Sequence, residues 1–348
     1  MKKIYVFIIL ITLIIFIFLF SVWHVQKENQ KKIQKNNKKT IVTTTNMLYD
    51  LTQHILYDDF DDKNIPNKGS IKNKIIDDLL ELKKPMMGVG VDPHNYKPLP
   101  NHRLIILKSD LIVINGINLE VNMEKAFQLL IVQKPQGKLF NVGEALKQNK
   151  VNEIIKHDNI PDPHIWFDFE LWMEAGEVLK KEIQKLIDKT DQEEGLKKKV
   201  KGILDDNFGK YKQHVIEQLT KAIDSLNVIP QNKKYLVTSH DAFSYFGKIS
   251  GLQIEAIQGI STQTEASIGD IRRIAQNIKD KQIKAVFTES SMTNNTLQSL
   301  KEMVEKSGYA IKMCEGEEGL FSDSLNENLD YLKTFLQNIE IIRKELSK

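Results

Sequence analysis

The sequence predicts an α/β protein of two lobes, each a parallel sheet flanked by helices, bridged by one long helix. Two observations predict the lobes. Short β-branched runs alternate with stretches of helical spacing from Thr40 to about Gly143, and the alternation resumes at Lys234. A third predicts the bridge. Apolar residues recur in steps of three and four from Leu196 through Val200, Leu204, Phe208, Tyr211, Val215 and Leu219 to Leu226. That period over about 31 residues makes a helix of roughly 45 Å. The expected divisions are 1–39 as a membrane anchor and basic linker, 40–191 as the first lobe, 192–227 as the bridging helix and 228–348 as the second lobe.

The elements follow in order. "TIVTTTNML" (Thr40–Leu48) is a β-branched run and reads as the first strand; "DLTQHIL" has helical spacing. "YDDFDDKNIPNKGS" is polar and turn-rich, hence a loop, and "IKNKIIDDLLEL" a short helix. "LIVING" and "KLFNVG" read as short buried strands. After the long helix come "KYLVTSH" as a strand ending at His240, and "LQIEAI" as a second strand. "SIGDIRRIAQNIKDKQ" reads as a helix capped by Ser267. "AVFTES" and "AIKMCEG" are strands, separated by a helix ending at Gly308; "NENLDYLKTFLQNIEIIRKEL" closes the chain as a helix.

Bulk composition excludes some classes. The chain has 348 residues, 27% of them charged, and a net charge of +3, too small a surplus to argue for nucleic acid. The single cysteine, Cys314, rules out an intrachain disulfide and a CxxC metal site, and reads as a small buried apolar side chain. The N-terminus is different in kind. "IYVFIILITLIIFIFLFSVW", Ile4 to Trp23, carries no charge over 20 residues, the length of a membrane-crossing helix. No small-x-small cleavage site follows, so the reading is an uncleaved anchor holding the body on the extracytoplasmic face, with a cleaved signal peptide and secretion as the alternative. Lys27, Lys31, Lys32, Lys35, Lys38 and Lys39 outnumber Lys2 and Lys3, which conflicts with that orientation on a positive-inside count.

The chemistry centres on a repeat. Asp-Pro-His occurs at Asp92–His94 and again at Asp162–His164, in a chain with eight histidines. Proline fixes its own φ and disfavours helix in the residue before it, so each copy presents an imidazole from a stiff corner. In α/β sheets ligands sit beyond the carboxyl ends of strands. His94, His240 and Asp323 fall at such places, and His164 lies just before a helix. Three imidazoles and one carboxylate suffice for a transition-metal site. Against this, aspartate before proline commonly starts turns, and no local motif such as HExxH is present. His102 and His157 stand close enough in sequence to replace a corner histidine in that set. Trp166, Phe167 and Trp172 read as core or as the wall of the site.

Taken together, "TIVTTTNMLYDLTQHI", "GVGVDPHNYKPLP", "DPHIWFDFELW", "YLVTSHDAFSYFGKISGLQIEAIQGISTQTEASIGDI", "KAVFTESSMTNNTLQSL" and "GLFSDSL", in this order, resemble the substrate-binding subunits of zinc/manganese ABC importers. The resemblance runs from about Thr40 to the C-terminus. It implies a metal buried in the cleft between the lobes, one zinc or manganese ion per chain, bound as transported substrate and handed to an ABC permease by a monomeric, non-enzymatic receptor. The ligands it implies are His94, His164, His240 and Asp323, with Glu289 of "TESS" supporting them. Manganese-dedicated relatives often carry Glu where this chain has His240. The chain departs from many relatives in lacking a lipid-anchoring cysteine, in having only His157 as a histidine between Val121 and Asp162, and in a longer stretch from Asp58 to Met87. A metal-dependent hydrolase, with Glu265 or Glu289 as base, and a surface adhesin are the alternative functions.

Overall fold

The computed structural model describes Phe16, Phe20, Ser21, Trp23 and residues 38–57, 71–131, 138–150 and 153–348. The expected anchor, Ile4–Trp23, lies outside the described residues apart from those four, as does the loop at 58–70. Among the described residues no helix is long and apolar enough to cross a membrane.

The first sheet contains β1 (Lys39–Thr43), β2 (Leu80–Leu82), β3 (Leu111–Ile114) and β4 (Lys138–Asn141), all parallel in the order β2-β1-β3-β4. Around it lie α1 (Asn46–Leu56), α2 (Ile71–Leu79), α3 (His102–Lys108), α4 (Val121–Ile131) and α5 (Val142–Lys150). The first strand is shorter than expected, because Thr45 Oγ1 accepts from Leu48 N at 3.3 Å and starts α1 at Asn46. The helix expected at Ile71–Leu82 ends at Leu79. Leu80–Leu82 pair with β1 instead, sheet pairing overriding the helical propensity of two leucines and a glutamate.

A hairpin of β5 (Lys156–His157) and β6 (Ile160–Pro161) precedes α6 (Phe169–Asp188). The bridging helix α7 runs from Glu194 to Asp224, 31 residues as the periodicity predicts, and its buried stripe is Val200, Ile203, Leu204, Phe208, Tyr211, Val215 and Leu219. Asn207, also on that stripe, donates from Nδ2 to Leu56 O at 2.8 Å and so satisfies a terminal carbonyl of α1. Helices α6 and α7 approach so closely that a Cβ at Gly176 would stand 2.0 Å from Phe208 Cζ. Gly176→Ala therefore forces Phe208 to move. Overpacking costs about 1–3 kcal/mol and Ala regains about 1 kcal/mol of helix propensity. The urea midpoint should fall, and Phe208→Leu in the same chain should restore part of the loss.

The second lobe contains β7 (Tyr235–His240), β8 (Gln253–Gln258), β9 (Ala285–Phe287) and β10 (Lys312–Cys314). Strands β7 and β8 pair in parallel, as do β9 and β10, with β7 lying against β9. The flanking helices are α8 (Ser244–Ser250), α9 (Ile268–Asp280), α10 (Asn295–Lys306) and α11 (Tyr331–Leu346). Ser267 caps α9 as expected, in a capping box with Asp270. Cys314 is buried. Strand β7 ends at His240, and β9 ends at Phe287, two residues before Glu289.

Candidate metal centre

The four residues singled out by sequence come together. His94, His164, His240 and Asp323 each offer a donor atom within 4.8 Å of the others, and all four are buried. His164 Nε2 lies 3.3 Å from His94 Nε2 and 3.4 Å from His240 Nε2. Asp323 Oδ1 is 3.4 Å from His164 Nε2, and its Oδ2 is 3.3 Å from His240 Nε2. One Nε2 cannot hydrogen-bond three neighbours at once. A tetrahedral zinc ion with bonds of about 2.0–2.1 Å would hold its donors about 3.3–3.4 Å apart. The four separations given above match that spacing.

Each donor is positioned by its chain segment. In both Asp-Pro-His corners the aspartate Oδ1 accepts from its own histidine's backbone N–H at 2.9 Å, so the turn reading and the presentation reading are both right. Asp162 does more: its Oδ1 also lies 2.7 Å from His164 Nδ1, which places the proton on Nδ1 and leaves Nε2 as donor to a cation. His240 is the last residue of β7; Glu289 Oε2 lies 2.7 Å from its Nδ1, and Glu289 Oε1 accepts from its backbone N–H at 2.9 Å. Glu289 thus orients His240, as the sequence suggests, and is not free to act as a base. Glu265, the other candidate base, is exposed. Ser291 Oγ donates to Asp323 Oδ2 at 3.3 Å. Trp166 stands edge-on to the His164 ring at 5.3 Å and donates from Nε1 to Ser322 O, tying the wall of the site to the loop of Asp323.

A latch closes the site, and sequence reasoning missed it because its partners lie about 170 residues apart. Thr262 Oγ1 donates to Asp92 Oδ2 at 2.6 Å, Asn95 Nδ2 donates to Thr262 O at 3.1 Å, and Gln263 Nε2 donates to His94 O at 2.9 Å. The alternatives of the sequence fall elsewhere. His102 packs against Tyr96, its Nδ1 accepting from Leu99 N at 3.4 Å. His157 lies beyond Asp162, outside the four-donor cluster.

The protonation of the cluster is uneven. Burial holds His94 down, to about 3. Burial also disfavours a charged His164, but the Asp162 and Asp323 carboxylates outweigh it and raise the group to about 9. His240 is likewise raised well above the ordinary range: burial opposes its charge, and Glu289 and Asp323 overcome that. Asp323, whose burial alone would raise it, is held well below the carboxylate range by His240 and His164.

The family profile of the periplasmic zinc-uptake complex component A, ZnuA, matches residues 41–345. The manganese-binding lipoprotein MntA of Bacillus subtilis is 30% identical over 265 residues, 75% of this chain and 81% of that protein. The manganese ABC transporter substrate-binding lipoprotein PsaA of Streptococcus pneumoniae is 25% identical over 321 residues, 88% of this chain and 89% of that protein. The structure of the periplasmic zinc-binding protein TroA from Treponema pallidum superposes with a TM-score of 0.73 at 26% identity, covering 89% of this chain and 100% of that one. With a profile that spans nearly all of both lobes, the chain belongs to the ZnuA family of periplasmic zinc-uptake components.

Proposed function

We propose that this chain captures one zinc or manganese ion outside the cytoplasm and delivers it to an ABC permease. His94, His164, His240 and Asp323 are the ligands in this reading. The observation that carries it is the convergence of four buried donors within 4.8 Å of one another, with His164 Nε2 3.3–3.4 Å from a donor on each of the other three. Asp162 holds His164 in the tautomer that offers Nε2, and the Glu289 carboxylate lies 2.7 Å from His240 Nδ1. Four protein ligands leave no open position for a reactive water, which suits holding and transfer. Relatives whose names describe them as lipoproteins and ABC transporter substrate-binding proteins support an extracytoplasmic place at the membrane surface. The apolar Ile4–Trp23 is the membrane-holding segment in this proposal, the body acts as a monomer, and the lobes divide at 40–191 and 228–348 around a bridge at 192–227.

Calorimetric titration of the chelator-stripped chain with zinc at pH 7.5 tests this. One equivalent should bind, with release of protons, because the carboxylates around His164 and His240 favour the charged imidazoles before binding, and both must be neutral after it. The sign follows: affinity falls as pH falls, and the fall begins near pH 9 rather than at the 6.5 of free imidazole. Zero or two bound ions, or no proton release, would contradict the reading.

A further inference from the structure

The two Asp-Pro-His corners spend their second carboxylate oxygen differently. Asp92 Oδ2 accepts from Thr262 across the cleft. Asp162 Oδ2 lies 3.4 Å from His157 Nε2, and the other nitrogen of His157 lies 3.6 Å from Asp241 Oδ2. Asp162 is two residues before His164, and Asp241 is one residue after His240. His157 therefore joins two segments that each carry a donor of the cluster, one before and one after the bridging helix.

Its position is well defined. The β5–β6 hairpin turns through Asp158 and Asn159, both left-handed at φ 48° and 69°, the geometry of a two-residue hairpin turn. The hydroxyl of Tyr245, from α8, accepts from Ile155 N at 3.1 Å and donates to Asp162 O at 3.0 Å, pinning the hairpin at both ends. The His157 side chain is 35% exposed, whereas the side chains of His164, His240 and Asp323 are 0% exposed. Solvent protons reach His157 without the cluster opening. The groups that face it are Asp162 and Asp241, with His164 behind Asp162 and the Tyr245 hydroxyl, which stays neutral, against the hairpin; Asp158 lies on its own turn. The hydrogen bond to Asp162 raises its pKa above the ordinary histidine value, against partial burial, and Asp241 adds to the rise.

We propose that His157 is a positioning residue whose charge sets how strongly Asp162 supports His164, and so how firmly the cluster holds its cation. As imidazolium it draws the shared carboxylate away from His164 Nδ1 and places a positive charge beside the cleft. As neutral imidazole it leaves Asp162 to His164. Acid outside the protein is thereby coupled to metal release through a residue that is not a ligand. This rests on the proposed metal-binding function.

The test is the apparent zinc affinity of the full chain from pH 8.0 to 6.0, by competition with a chelator, for the parent, His157→Gln and His157→Lys. Removing one linked proton should make the affinity loss over this range about tenfold smaller in His157→Gln than in the parent. His157→Lys, a fixed cation, should bind about tenfold more weakly than His157→Gln at pH 8.0. Asp241→Asn, which leaves Asp162 and the hairpin in place, should lower the pH at which the extra loss sets in. Parallel pH curves for parent and His157→Gln, with His157→Lys equal to His157→Gln at pH 8.0, would overturn the proposal. A parent that binds no zinc at any pH would overturn the metal-binding reading itself, an outcome distinct from parallel curves.

Discussion

Replacing His164 by Ala should weaken zinc binding by more than about 100-fold, beyond the 10- to 100-fold typical of losing a residue that only orients a ligand. His164 Nε2 lies within 3.4 Å of a donor on each of the other three residues, so its loss removes a hub of the cluster. The fold should survive the change. Asp162 keeps the backbone N–H of residue 164 and His157 as partners, so no buried carboxylate is orphaned. Competition with a chelator reads the affinity, and thermal unfolding of the metal-free chain reads the fold. His102→Ala should leave zinc affinity at the parent value, since His102 sits against Tyr96 away from the donors. A His164→Ala chain that titrates like the parent would remove His164 from the ligand set.

Metal choice turns on His240. Imidazole nitrogen suits zinc, carboxylate oxygen suits the harder manganese ion, and zinc outranks manganese at most nitrogen and oxygen sites. His240→Glu should narrow the zinc-to-manganese preference by about tenfold or more, chiefly by weakening zinc. The structure adds a complication. Glu289 Oε2 lies 2.7 Å from His240 Nδ1, so the substitution sets a second carboxylate against a buried one. Like charges that close cannot both ionise, and one would take up a proton. His240→Glu alone should therefore bind both ions poorly. Adding Glu289→Gln should recover affinity while leaving the preference narrowed. Titration of the three chains with both ions in one buffer reads this. A double variant with the parent's zinc-to-manganese ratio would show that residue 240 does not choose the metal.

What the sequence disclosed follows from range. The bridging helix was legible because its stripe of apolar residues is a local, repeated signal, and Glu194–Asp224 matches it closely. His240 was legible because "YLVTSH" is a β-branched run that stops at a polar residue. Local competition was harder to read. "TTTNML" has strand composition, yet the Thr45 cap turns its second half into helix, and "LEL" becomes a strand only because β1 is there to pair with it. Least legible were contacts between distant segments. Asn95 with Thr262, and His157 with Asp241, depend on two lobes meeting across the cleft, and no periodicity in either segment encodes that. Asp162 could have been noticed: a repeated aspartate two residues before a candidate ligand is a natural acceptor for its Nδ1.

The central claim is that one cation sits among three imidazoles and one carboxylate, and X-ray absorption at the zinc K-edge of the zinc-loaded full chain tests it most directly. The account predicts a four-coordinate ion with three nitrogens and one oxygen, all at about 2.0–2.2 Å. It further predicts that His164→Ala loses one nitrogen from that shell. A sulfur shell near 2.3 Å, which only Cys314 or a methionine could supply, or an all-oxygen shell unchanged by His164→Ala, would contradict it.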